Sequence, residues 1–303
     1  MWTAECAGVA HCVGMTTRRA VLGGIVAAAG GLVTGGAAAS AGAADAGTGA
    51  AGAASAGAGT AGAGAGAARG KARSARNAGA LTPPGRSDLT ITARKRAEWG
   101  ANEAVRVKPD GSEAWALRFS PVQGLVVHHS ALPVEADRNA TVRGIHELHA
   151  VRRQWADIGY HLVIDPEGVV YEGRYSGRDA VPIFDAHPVQ GRKPLVVTGG
   201  HVSGHNMGNI GICLLGDMTA VQPGAGARSS LVRTLAGLSV LCGLDPAADF
   251  EYVNPDNGAR VTKPMISRHR DWVGTACPGE AFAAQFDTVR AEVVRLVKGQ
   301  RAR

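Results

Sequence analysis

Aromatic residues are scarce in this chain: Phe, Tyr and Trp make up 5% of its 303 residues. A core must therefore be built mainly from aliphatic side chains. Cysteine is scarcer still. Five are too few for the disulfide framework of a small secreted scaffold. Of these, Cys213 and Cys242 stand as either a reduced pair or one bond. Large side chains vanish from residues 35–68, which contain only Ala, Gly, Ser, Thr and Asp45. That stretch cannot bury a core and reads as disordered. A strongly apolar membrane span is missing too: the apolar stretch ending near Leu32-Val33 is diluted with Gly and Ala, so no stable membrane anchor is expected. Nor is there a surplus of one charge on the folded part. The net charge is +7, but eight bases and one acid lie between Arg69 and Arg96 and account for all of it. The rest is near neutral, which argues against nucleic acid as a partner.

What is present divides the chain into three parts. Thr16-Thr17-Arg18-Arg19 precedes the mild apolar stretch, and Ala39-Ser40-Ala41 fits a small-residue cleavage site. Residues 1–41 thus resemble a twin-arginine export signal. Residues 42–88 read as a linker, Ala/Gly-rich and then basic, whose bases offer a contact to an anionic polymer. Residues 89–303 read as one α/β domain: a central, mixed, mostly parallel sheet flanked by about three helices. Gly124–His129 is a run of β-formers, residues 160–164 and 169–172 form a hairpin around Asp165-Pro166-Glu167-Gly168, and residues 209–215 are continuously apolar, as a central strand is. Leu195–Val197 is a weaker strand. The helices are expected to start at Thr141 as N-cap, after Ser229 or Ser230 with Gly243 as stop, and around Phe282 to Leu296.

Histidine and one cysteine carry the chemical signal. His146-Glu147-Leu148-His149 places its histidines three apart, whereas the helical zinc-protease motif needs four. His128-His129 ends a strand, so its two rings face opposite sides and one at most joins a given site. It reads either as core histidine or as ligand. His269 and Cys277 flank a short loop, and imidazole and thiolate both suit zinc. With His128 they would make three ligands and one open position, the pattern of a catalytic zinc. The alternative is a buried thiol and a surface histidine.

Five motifs follow in order: His128-His129-Ser130, Trp155-x-x-Ile158-Gly159-Tyr160-His161, Gly168-x-Val170-Tyr171-Glu172-Gly173-Arg174, Gly200-His201-x-x-Gly204-x-Asn206-x-x-x-Ile210-Gly211-Ile212-Cys213, and His269-Arg270-Asp271 followed after five residues by Cys277-Pro278-Gly279. Together with Arg94-x-x-x-Glu98-Trp99-Gly100-Ala101, this order resembles the peptidoglycan recognition protein family, which includes the type 2 N-acetylmuramoyl-L-alanine amidases and phage lysozyme-type amidases. The resemblance implies Zn2+ held by His128, His269 and Cys277. It implies Tyr160 facing the metal-bound water and the scissile carbonyl. Thr275 takes the position where phage members carry lysine and recognition proteins carry threonine. Residues 176–198, with Arg178, Pro182, His187 and Lys193, look longer than the usual connection and would border the substrate groove.

The expected reaction is hydrolysis of the amide between the muramic acid lactyl group and L-alanine of peptidoglycan. Tyr160 and Thr275 are the expected catalytic side chains. His201 and Asn206 are candidate contacts to glycan strand or stem peptide, with a purely structural turn as the alternative. Trp155 reads as core rather than as a sugar platform. The expected location is secreted or cell-wall associated, with wall polymer as the anionic contact of the linker. Two other readings stay open: a recognition module that binds without cleaving, and a thiol hydrolase using Cys277 as nucleophile and His269 as base.

Overall fold

The computed structural model describes residues 79–177, 181–189 and 191–299. Residues 1–41, expected as an export signal, and residues 42–78 of the expected linker lie outside them. Seven strands form the main sheet in the order β1 (Ala80–Leu81), β2 (Ile91–Arg94), β6 (Val170–Glu172), β5 (Leu162–Ile164), β8 (Asn209–Leu214), β4 (Gly124–His129) and β11 (Ile266–Arg268). The pairs β2–β6, β5–β8, β8–β4 and β4–β11 are parallel, and β1–β2 and β5–β6 are antiparallel. This is the expected mixed, mostly parallel α/β sheet. Two small ribbons accompany it. β3 (Phe119–Pro121) pairs with β7 (Leu195–Val197), and β9 (Asp249–Val253) pairs with β10 (Arg260–Pro264). The Leu195 strand therefore lies outside the main sheet.

Five α-helices are found among the described residues: α1 (Arg96–Trp99), α2 (Arg138–Glu147), α3 (Ala225–Cys242), α4 (Glu280–Ala284) and α5 (Phe286–Val297). The first long one starts earlier than expected. Asp137 caps it by accepting from the Asn139 amide at 3.0 Å, while Thr141 lies inside and accepts from the Glu135 amide. α3 likewise begins at Ala225, before Ser229. Gly226 lets its first turn abut the β5–β6 turn, where a Cβ would come within 2.8 Å of the Glu167 carbonyl oxygen. Its stop at Gly243 is as expected, in the left-handed conformation at φ 64°. The last helical stretch is two helices broken at Gln285, with Phe282 and Phe286 packed edge to face across the break.

Sheet pairing also starts before Leu89, where composition set the boundary. Leu81 is buried and joins the core through β1. One large apolar residue in the short stretch between Gly79 and Pro83 is too little for a strand signal, so only its pairing with β2 reveals it. The basic segment changes meaning as well. Arg86 binds Asp88 and the last carbonyls of α5, Arg94 binds Asn139, and Arg96 is buried against Asp157 and Glu103. These three arginines are occupied inside the domain, so the contact to an anionic polymer is not supported.

Strand alternation divides the core. Leu125, Val127, Ile210, Ile212 and Leu214 face α3 and α5. Val126, His128, Gly211, Cys213 and Ser267 occupy the opposite alternation positions. Cys213 packs there with Val142, Ile145, Tyr171 and Leu215. Cys213 and Cys242 fall into separate clusters and are both free thiols, so no bond links them.

Candidate active site

β4 and β11 are parallel neighbours, and their C-terminal ends deliver His128 and His269 side by side. The two rings lie 4.5 Å apart, centroid to centroid. The loop after β11 folds back as Arg268 pairs with Asp271 and Arg270 with Glu280. It thereby carries Cys277 to the same point, with Cys277 Sγ 3.8 Å from His128 Nδ1. One ligand atom from each of His128, His269 and Cys277 lies within 4.8 Å of the others. His129 points the other way, where its Nδ1 accepts from the Met218 amide. Its backbone amide donates to Cys277 Sγ at 3.4 Å, a bond that favours thiolate.

This donor set fits a metal ion. Two imidazoles and a thiol are zinc ligands by type. His269 Nε2 is buried with no hydrogen-bond partner among the described residues, an expensive state for a polar atom without a ligand. Burial holds His128 well below the ordinary histidine pKa and lowers His269 to about 4, so both rings are neutral at pH 7 and can offer a lone pair. Burial pushes the Cys277 thiol up to about 12. A cation would reverse that preference and deprotonate it.

Tyr160 leans over this cluster, its ring 5.2 Å from His128 and 5.4 Å from His149. It packs against the cluster that holds Cys213, and burial raises its pKa well above the ordinary value. It therefore stays a neutral O–H donor. Thr275 sits half-buried in the ligand loop and accepts from the Cys277 amide at 3.3 Å.

The structure gives His201 and Asn206 inward-facing work. His201 is 5% exposed and has both ring nitrogens engaged, with His128 Nε2 and with the Asn209 carbonyl. No nitrogen is left for a glycan. Asn206 Oδ1 accepts from the amides of His201 and Val202 and so closes the loop. Trp155 is half-buried against Trp115, its ring also 4.9 Å from His149. Of the long connection 176–198, Arg178 lies outside the described residues. Pro182 is buried, and Lys193 and His187 are exposed.

Residue pattern did not reveal the support beneath Tyr160. Asp157, fully buried, receives hydrogen bonds from Arg96, Arg174 and the Ile158 and Tyr175 amides. Arg174 is fully buried too and lies over Trp115. This ion cluster holds the turn that carries Tyr160. A π-helical turn over Leu148–Arg152 then aims His149 Nδ1 at the Gly159 amide, 3.1 Å away.

A family model described as N-acetylmuramoyl-L-alanine amidase matches residues 118–280, more than half of the chain. The chain belongs to this family. The matched span runs from β3 to the start of α4 and contains His128, Tyr160, His269, Thr275 and Cys277. Among curated relatives, the N-acetylmuramoyl-L-alanine amidase of Homo sapiens is 30% identical over 200 residues, covering 64% of this chain and 27% of its own. The chain thus spans about a quarter of that relative's length. Peptidoglycan-recognition protein LB of Drosophila melanogaster is 25% identical over 208 residues, covering 66% of this chain and 71% of its own. A solved structure of wild-type Drosophila PGRP-LB matches with a TM-score of 0.44 and 25% identity, covering 64% of this chain and 93% of that one.

Proposed function

We propose that this amidase-family domain is a zinc-dependent N-acetylmuramoyl-L-alanine amidase that cleaves peptidoglycan between the lactyl group of muramic acid and L-alanine. The observation that carries the reading is the convergence of His128, His269 and Cys277 beneath the Tyr160 ring, inside the span matched by the family. A zinc ion there would supply a water acidic enough to ionise near neutral pH and a Lewis acid for the carbonyl.

The chain's own residues do the rest. His128 and His269 present neutral imidazoles, and the His129 amide steadies the sulfur of Cys277. Tyr160, kept protonated by burial, is a hydrogen-bond donor for negative charge developing on the carbonyl oxygen. The Arg96–Asp157–Arg174 cluster holds its turn rigid, so that donor needs little reorganisation during reaction. Thr275 stands in the ligand loop as the second polar side chain that can reach the leaving amine through water.

A thiol hydrolase needs a depressed cysteine pKa. Burial does the opposite to Cys277, raising it to about 12. Peptidoglycan lies outside the cytoplasm, and the paired arginines Arg18-Arg19 ahead of an apolar stretch supply a twin-arginine-type route to it.

The deciding experiment is mass spectrometry of peptidoglycan digested by the full chain, with and without a chelator. Free stem peptides beginning with L-alanine, lost on chelation and restored by zinc, are expected. Retention of the protein on intact peptidoglycan, with no peptide released, would replace the amidase by a recognition module.

A further inference from the structure

We propose that His201 is a positioning residue that selects the tautomer of His128 and so decides which of its nitrogens faces the metal. The proposal rests on the zinc reading above and assigns a task to a histidine outside the ligand set.

The argument starts from a carbonyl. The Asn209 oxygen can only accept, and it lies 3.1 Å from His201 Nε2. That nitrogen therefore carries the proton. A neutral imidazole has one N–H, so His201 Nδ1 is an acceptor. His128 Nε2 lies 3.1 Å from it and must donate. His128 is left with a bare lone pair on Nδ1, the atom that faces Cys277 Sγ. One backbone carbonyl thus sets two rings in sequence. The opposite setting would place a proton on Nδ1 and block it as a ligand.

His201 is held neutral by its surroundings. It is buried, it packs edge-on against His161 and His128, and no carboxylate binds it among the described residues. Its position is fixed from three sides. Gly211 makes room, since a Cβ there would come within 2.5 Å of His201 Cγ. Asn206 Oδ1 holds the His201 amide at 2.8 Å. His161, whose Nδ1 accepts from the Gly211 amide, walls the far side. His201, Asn206, Asn209 and Gly211 thus act as one device behind His128. Metal-bound histidines generally give their second N–H to a carbonyl or carboxylate. Here an imidazole relays that role.

The test uses the full chain, labelled with 15N-histidine and freed of metal. Long-range proton–nitrogen correlation is expected to show both His128 and His201 in the Nε2–H form. In His201→Phe, which fills the space but cannot accept, His128 should become a mixture of tautomers. Zinc affinity, read by competition with a chromogenic chelator, should fall about 10- to 100-fold. His201→Asn, whose Oδ1 reoccupies the place of Nδ1, should recover most of that loss. An Nδ1–H form of His128 in the parent would overturn the proposal. So would a Phe variant that binds zinc within about twofold of the parent. If the parent itself binds no zinc, the zinc reading fails, while the tautomer measured without metal still decides the role of His201.

Discussion

The two faces of the central sheet are made by the same strands and have opposite characters. On β4, Leu125 and Val127 sink into the aliphatic core under α3 and α5, whereas Val126 and His128 emerge on the other side. On β8, Ile210, Ile212 and Leu214 belong to that core, whereas Gly211 backs His201 and Cys213 meets Tyr160. Period-two alternation therefore separates cohesion from chemistry residue by residue. The aliphatic face makes the polar face affordable: neutral buried histidines and a tight Cys–His cluster persist because the strands beneath them are anchored from behind.

Substitutions can break or sharpen that contrast. The largest effect is expected from Cys277→Ser. On the zinc reading proposed above, it should lower release of stem peptide by more than about a thousandfold, because that reading makes Cys277 a ligand and not only a contact. The melting temperature of the metal-free protein should barely move. A collapse of that temperature would show the polar face to be structural after all. Phe286→Ala is the converse. Fully buried and packed on Phe282, Phe286 should cost about 3–5 kcal/mol in denaturant unfolding while the remaining folded molecules keep their turnover.

Gly211→Ala joins the two faces. Its new methyl must displace the His201 ring, so a loss of about 1–3 kcal/mol in stability is expected together with weaker zinc binding. Stability loss without any change in zinc affinity would uncouple Gly211 from the site. The smallest effect concerns acid. Burial lowers His161 from 6.5 to about 4 in the folded protein. The unfolded chain takes up that proton first, so this contribution to stability is complete above pH 6.5 and declines as pH falls towards 4. Denaturation midpoints of the metal-free protein measured across that window should drop with pH. The slope should be shallower in His161→Gln, and equal slopes would place the acid sensitivity elsewhere.

Legibility in sequence followed the same division. The apolar runs of β4 and β8 announced central strands, and the hairpin at Asp165–Gly168 announced itself by its turn residues. Apolar spacing marks the helix starts too late, because Asp137 and Gly224 open helices whose apolar positions begin a turn further on. The β9–β10 ribbon leaves little trace in the sequence: its alternation is weak, and its burial comes from Tyr252 packing with Trp272 and Val202. For His201 and Asn206 the sequence supports a groove loop and a structural turn equally, because a Gly-rich loop with polar side chains looks the same from outside and from within; the inward contacts of the fold separate the two.

By itself, the sequence determined the family, the α/β alternation and the small set of metal-ligand residue types, since motif order and local periodicity are written along the chain. Only the tertiary structure decided that Arg96 and Arg174 share one buried Asp157, that Tyr160 rests on Cys213, and that His201 stands behind His128. Each of those contacts joins residues distant in the chain. Their effect depends on the direction of a single proton or lone pair in a buried space, which local spacing does not encode.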